Sequence, residues 1–196
     1  LMLCAEQLLH PEQIEHLNLE VLYVGQAFGK DGERTAPDRL KSHETLLSVY
    51  SELSATSPES EVWLALLSFE DPFLIMQIDG RSETVTETTD EEDSKHLAYL
   101  LTLPVDERQR VCFAEAALIR YFQPQYNDKL KYSFPNPSHS SYSQCYDADL
   151  NAVMVELQFE SLNLQLYSQA VPPSHTHIAK FALHDREQRV SMFDFA

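Results

Sequence analysis

The sequence predicts an α+β fold, in which a small antiparallel sheet flanked by helices is followed by a short β-rich C-terminal region. Three observations carry that prediction. Leu19 to Val24 is an apolar run halted by Gly25, which reads as a strand. Apolar residues recur at helical spacing from Leu40 to Tyr50 and again from Val111 to Phe122. From Asn151 onward, short stretches alternate polar and apolar residues with a period of two.

In chain order, Leu1 to Asn18 reads as helical, with Pro11 opening a second short helix through Gln13, Ile14 and Leu17. The Leu19 to Val24 strand follows, and the loop after it holds Gly29 and Gly32, two of only four glycines in 196 residues, so backbone freedom is concentrated there. Pro37 stands in the first turn of the next helix, whose Leu40, His43, Leu46, Leu47 and Tyr50 form a stripe. Ser51 to Ser60 is a polar turn region. Val62 to Phe69 and Phe73 to Ile78 read as an antiparallel strand pair, the first so continuously apolar that burial is expected. Asp79 to Lys95 is acidic, almost free of large apolar side chains, and is expected as a solvated or partner-facing loop.

Leu97 to Leu103 leads into a helix from about Pro104 to Phe122, which breaks at Gln123 and Pro124. Phe134 to Cys145 is rich in Ser, Pro and Asn and reads as a linker. The alternation of Asn151 to Phe159 changes phase at Glu160 and Ser161 before Leu162, Leu164 and Leu166, as a turn or bulge requires. His177 to Leu183 and Val190 to Phe195 complete the pattern. The organisation is therefore a module over 1–132, a linker over 133–146 and a β-rich region over 147–196. Four short strands enclose little core, so the last region is expected to pack on the first module, on upstream sequence or on another chain.

With 43% apolar residues, the chain can bury a core of one ordinary domain or two small ones. No run of 18 apolar residues exists and the first thirty lack a signal-peptide pattern, so no membrane partner is expected. The chain begins at Leu1 and not at an initiator methionine, which leads us to expect upstream sequence. Cys4, Cys112 and Cys145 are odd in number, widely spaced and without a CxxC pair, pointing to a reducing, cytoplasmic setting; Cys112 is expected as a small buried thiol.

A net charge of −17 opposes generic nucleic-acid binding, because phosphates repel an acidic surface. The charge is unevenly placed. Residues 20–50 and 105–132 together carry nine basic and nine acidic side chains, whereas 70–95 carries two basic and nine acidic. Lys30, Arg34, Arg39, Lys41, Arg120, Lys129 and Lys131 are compatible with a local basic groove on an acidic body, and equally with an ordinary solvated face.

Two positions stand out chemically. On a helix, Arg39, His43, Leu46 and Tyr50 fall within a sector of roughly 60 degrees, which puts a guanidinium at the core edge, where it requires an anion. A structural ion pair beside a satisfied histidine meets that requirement, and so does a phosphate site. Glu115 falls in the apolar stripe of Val111, Leu118 and Phe122; a carboxylate there must pair, bind a metal or stay protonated. Other chemistries lack their patterns. Asp90 to Asp93 has no calcium-loop spacing, and His175, His177, His184 and Cys145 have no paired zinc motif. No phosphate-binding glycine loop ending in Lys-Ser or Lys-Thr and no nucleophile-elbow serine occurs.

Tyr23-Val24-Gly25 at a strand end, Arg39 four residues before His43 on the next helix, Glu115 within a helix and Asn127 closing a Pro-x-Tyr-Asn segment occur in that order, and over residues 19–132 the chain resembles the GIY-YIG nuclease superfamily. The RxxxH form resembles the restriction-enzyme branch. The resemblance implies a small antiparallel sheet flanked by helices and a metal-dependent endonuclease hydrolysing DNA phosphodiester bonds, with restriction or antiviral defence as the setting that the family suggests. By the same resemblance, Glu115 binds Mg²⁺ or Mn²⁺, Arg39 grips the scissile phosphate, Tyr23 with His43 orients or deprotonates the attacking water, and Asn127 braces the loop beneath Glu115. Lys30, Lys41 and Arg120 are the candidate substrate-binding cations. The family's first tyrosine belongs on a strand before Tyr23, yet no tyrosine precedes Tyr23 in this chain. Either that strand lies upstream of residue 1 or that half of the motif has been lost. The alternative function is therefore an inactive binding or assembly subunit, with a protein partner or a second copy met through the β-rich C-terminal region.

Overall fold

The computed structural model describes residues 2–5, 17–26, 44–69, 89–102, 107–139, 145–146, 150 and 152–183. Among these, the chain is α+β. Four strands, β1 (Met2–Ala5), β2 (Leu17–Tyr23), β3 (Glu61–Leu64) and β5 (Leu164–Tyr167), form one sheet in the order β3-β1-β2-β5. A second sheet pairs β4 (Ala152–Gln158) with β6 (Thr176–Ala182). The helices are α1 (Glu44–Thr56), α2 (Asp90–Leu101) and α3 (Glu107–Phe122).

The first residues correct the helical expectation, since Met2–Ala5 pairs antiparallel with both β2 and β3. A short run such as Met-Leu-Cys-Ala suits helix and strand alike, and pairing with two neighbours decides it. The β1–β2 register slips once: Met2 lies opposite Tyr23 and Leu3 opposite Val21, so Leu22 has no partner across the ladder. This bulge reverses the side-chain alternation of β2. Leu19 and Val21 precede it and enter the larger core cluster; Leu22 and Tyr23 then both face the smaller cluster, and Val24 returns to the larger one.

The smaller cluster is built by α1, which buries Leu46 and Val49 against Leu22, with Tyr23, Leu53, Val62 and Tyr126 around them. The buried side of α1 is thus turned away from Leu47 and Tyr50, which are 62% and 45% exposed although both belong to the apolar stripe expected from the sequence. Among the described residues, β3 is an outer strand of its sheet. Its Trp63 and Leu64 are exposed, as are Leu66 and Leu67 beyond its end, correcting the expectation of a buried strand over 62–69. Apolar composition cannot separate a central strand from an edge. The expected partner at Phe73 to Ile78 lies outside the described residues, as do 27–43 and the acidic 79–88.

The end of that acidic stretch is helical. Thr89 begins α2 with a capping box: its hydroxyl accepts the Glu92 N–H at 3.4 Å, and the Glu92 carboxylate accepts the Thr89 N–H at 2.8 Å. Asp90, Glu91, Glu92 and Asp93 occupy the first turn, where the helix dipole favours negative charge, so an acidic run expected as loop is a favourable helix start. The Glu92 carboxylate also accepts from the Thr89 hydroxyl at 2.8 Å, and the bonds from the Thr89 backbone and then its hydroxyl hold this exposed carboxyl below its usual range.

Helix α3 buries Phe113, Ala114, Ala116, Ala117, Leu118, Ile119 and Phe122, positions that run nearly all round its second half. On one side it meets Leu19 and Val21 of the larger sheet, and β4 and β6 supply Val155, Leu157 and Ala179 to the same cluster. A lone two-stranded ribbon is marginal in water, which explains why β4 and β6 lay one face on α3 and leave Met154 and Ile178 to solvent. Between them, a 3-10 turn at Glu160–Leu162 and the left-handed Asn163 (φ 50°) produce the phase change, after which β5 runs parallel to β2 with Leu19 beside Leu166. Phe134 and Cys145, from the segment read as a linker, are also in this core, and burial pushes the Cys145 thiol up to about 11. The C-terminal strands therefore pack on the first module, one of the arrangements expected for them.

Candidate functional site

The turn after β2 is held at every second residue. Tyr23 ends the strand, and its ring folds back over Gly25, so close that a β-carbon on Gly25 would stand 2.6 Å from Tyr23 Cε1 and 2.9 Å from its hydroxyl. Val24 is buried, and both of its peptide groups are taken by one side chain: its N–H donates to Asn127 Oδ1 at 2.9 Å, and its carbonyl accepts from Asn127 Nδ2 at 2.8 Å. Gln26 donates its N–H to Glu115 Oε1 at 3.0 Å. The Gln26 side-chain oxygen in turn accepts from Cys112 Sγ at 3.5 Å, one helical turn before Glu115.

Each partner is delivered by local chain geometry. Helix α3 stops because Gln123 takes a left-handed conformation (φ 53°), with its N–H on the Ile119 carbonyl, and the buried Pro124 follows. The chain then turns back along β2, with Tyr126 N–H on the Leu22 carbonyl at 3.0 Å and Asn127 N–H on the Pro124 carbonyl at 3.2 Å. Asn127 arrives beside Val24 with its amide edge parallel to a peptide, and supplies the donor and acceptor a neighbouring strand would.

Glu115 is half-buried in the expected stripe beside Leu118 and Phe122. A carboxylate there needs partners, and a backbone N–H is one of them. From helix α3, Glu115 reaches the turn after Tyr23 at Gln26, and Asn127 holds the same turn at Val24. The structure thus brings Tyr23, Glu115 and Asn127 to one turn. Arg39, His43, Lys30 and Lys41 lie outside the described residues.

Arg120 stands apart from that turn. Its guanidinium donates to the Lys131 carbonyl at 2.6 Å and stands 5.9 Å from the centre of the Tyr132 ring. Of the three histidines considered for zinc, His175 and His177 instead reach the carbonyls of Leu164 and Leu166 at 2.9 and 3.0 Å on the β5 edge, and His184 lies outside the described residues. Among the described residues, no three His, Cys, Asp or Glu side chains gather as a metal cluster. No helix of the described residues is long and apolar enough to cross a membrane.

Two contributors carry little signal in the sequence. Gln26 is marked only by following the Tyr-Val-Gly turn, and Cys112 only by lying three residues before Glu115 on the same side of α3. Cys112 is half-buried and not, as expected, a core thiol. The strand antiparallel to β2 is β1, which reads Met-Leu-Cys-Ala and brings no phenol opposite Tyr23. Comparison of the chain with protein-family models, with curated proteins and with solved structures finds no match.

Proposed function

We propose that this chain is a GIY-YIG-type endonuclease that hydrolyses DNA phosphodiester bonds with Mg²⁺ or Mn²⁺, in a setting such as restriction or antiviral defence. The observation that supports it is the double hold on the Tyr23 turn, by Asn127 at Val24 and by Glu115 at Gln26. A turn tied at alternate residues to a helix and to the loop that follows it keeps a phenol and a carboxylate in fixed relation, as a reacting centre requires.

The donor set suits a hard ion held by few protein ligands. One carboxylate, Glu115, fits Mg²⁺, which retains waters and takes phosphate oxygens as further ligands. A bound ion supplies Lewis acidity at the phosphate. Tyr23 and His43 orient the attacking water, and His43 as neutral imidazole takes its proton, because a phenol near neutral pH still holds its own. Arg39 binds the phosphate and offsets the charge that develops on it.

A second reading rests on β1. Since the strand antiparallel to β2 brings no tyrosine, a scaffold kept for binding or assembly is the alternative. Cleavage of plasmid and of linear single- and double-stranded DNA, with Mg²⁺ or Mn²⁺ and with EDTA, separates the two. We expect metal-dependent cuts in the parent that disappear in Glu115→Gln, which keeps an oxygen for the Gln26 N–H, and in Arg39→Ala, with all three proteins melting alike. A folded parent that cuts nothing would overturn the enzyme and leave the binding scaffold.

A further inference from the structure

Beyond Asn127 the chain makes a tight turn whose conformation is held from below. Lys131 places its carbonyl between two donors, Arg120 at 2.6 Å and Gln123 Nε2 at 2.8 Å, and Gln123 also donates to the Arg120 carbonyl at 2.7 Å. Leu130 adopts a left-handed conformation (φ 69°) and packs on the core, while Phe134 is buried edge-on against Phe181 with ring centres 5.2 Å apart. With the residues on either side of it anchored inward, Tyr132 is turned out and is 82% exposed, the most exposed large aromatic side chain among the described residues. The Arg120 guanidinium lies over the ring at 5.9 Å, and Asp128, Lys129 and Lys131 precede Tyr132 in the same turn, on a chain whose net charge is −17.

We infer that Tyr132 is a stacking platform for an unpaired nucleobase, with Arg120, Lys129 and Lys131 drawing the adjoining phosphates. An exposed ring carried on an anchored turn offers a flat surface that any base can cover, and stacking of this kind is tolerant of sequence. Arg120 at the ring, with Lys129 and Lys131 beside Asp128 in the same turn, makes this segment net positive on an acidic protein, which is what a phosphate-bearing strand requires. Arg120 lies five residues after Glu115, about 7.5 Å along the axis of α3 and about 140 degrees around it. The platform therefore flanks the Glu115 site and does not line it; it engages a base beyond the scissile phosphate, in a single-stranded stretch or a base displaced from a duplex. The inference rests on the nucleic-acid reading of the Glu115 site and adds to it a preference for unpaired substrate.

The test is equilibrium binding in EDTA, without cleavage, of a fluorescein-labelled single-stranded oligonucleotide, as DNA and as RNA, and of the matching DNA duplex. The parent is expected to bind the single strand more tightly than the duplex. Tyr132→Ala should weaken single-strand binding roughly 5- to 140-fold, the range for loss of one base–aromatic stack, with the duplex changed less than about twofold. Tyr132→Phe, which keeps the ring, should bind as the parent does, and light-induced crosslinking of an iodouracil-substituted strand should tag the peptide containing Tyr132. Unchanged single-strand binding in Tyr132→Ala, or a parent that binds no single strand, would overturn the platform. Metal-dependent cleavage persisting in either case would show that the nuclease reading survives without it.

Discussion

Asn127 pairs with the Val24 peptide as a neighbouring strand would, donating to its carbonyl at 2.8 Å and accepting its N–H at 2.9 Å, although 103 residues separate the two. Asn127→Ala leaves a buried donor and acceptor together without partners. At about 1–3 kcal/mol for each such group, we expect a loss of about 2–4 kcal/mol in urea unfolding. Asn127→Asp restores only the acceptor and should recover no more than part of it. A loss below about 1 kcal/mol for Asn127→Ala would show that solvent replaces the side chain.

Gly25 matters for where Tyr23 points. A methyl group there would come within 2.6 Å of the ring, and the far end of an aromatic side chain can swing aside at small cost. Gly25→Ala should therefore lower stability by less than about 1 kcal/mol while displacing the phenol. If Tyr23 orients the attacking water, cleavage should fall at least about tenfold with the melting temperature almost unchanged. Cleavage at the parent rate would separate the phenol's position from the chemistry.

Leu166 is fully buried on β5 beside Leu19 of β2. Leu166→Ala is expected to destabilise by about 2–5 kcal/mol, the range for a core leucine. For the same reason the fragment 1–132 should not fold by itself, since it would expose Leu19, Phe122 and much of α3. Circular dichroism and hydrogen exchange of the fragment check this; a cooperative melt would restore an autonomous first module.

His177 is buried between α3 and the β5 edge. Its Nε2 faces the carbonyls of Leu166 and Ser174 at 3.0 and 3.1 Å and so carries the proton, leaving Nδ1 to accept from Tyr121, 3.3 Å away. Burial lowers its pKa below 6.5 against the raising effect of the two carbonyls. In the window between 6.5 and that lower folded value, the unfolded chain binds a proton that the folded chain does not. Stability is therefore unaffected by this group above the window and falls as the pH drops through it, by at most about 1.4 kcal/mol per pH unit. The difference between parent and His177→Phe unfolding curves from pH 7.5 to 5 isolates this contribution; parallel curves would refute it.

Four residues of the candidate site are legible in the sequence itself, whereas Gln26 and Cys112 are not. Tyr23, Gly25, Glu115 and Asn127 stand at recognisable places on strand, turn and helix end, and the polar Glu115 interrupts a stripe that is otherwise apolar. The helix over 107–122 and its stop at Gln123 and Pro124 are legible too, because helical period and proline act locally. What tertiary structure decided depends on partners far along the chain. Met2–Ala5 is a strand because β2 and β3 flank it, and Trp63 is exposed because β3 lies at an edge, which no local pattern encodes. The bulge at Leu22, which puts Tyr23 on the α1 side, arises from a register between two strands. The hold of Asn127 on Val24 and of Glu115 on Gln26 likewise exists only once α3 has packed against β2. Local periodicity sets the elements, whereas the hydrogen-bond needs of buried peptide groups set how they meet.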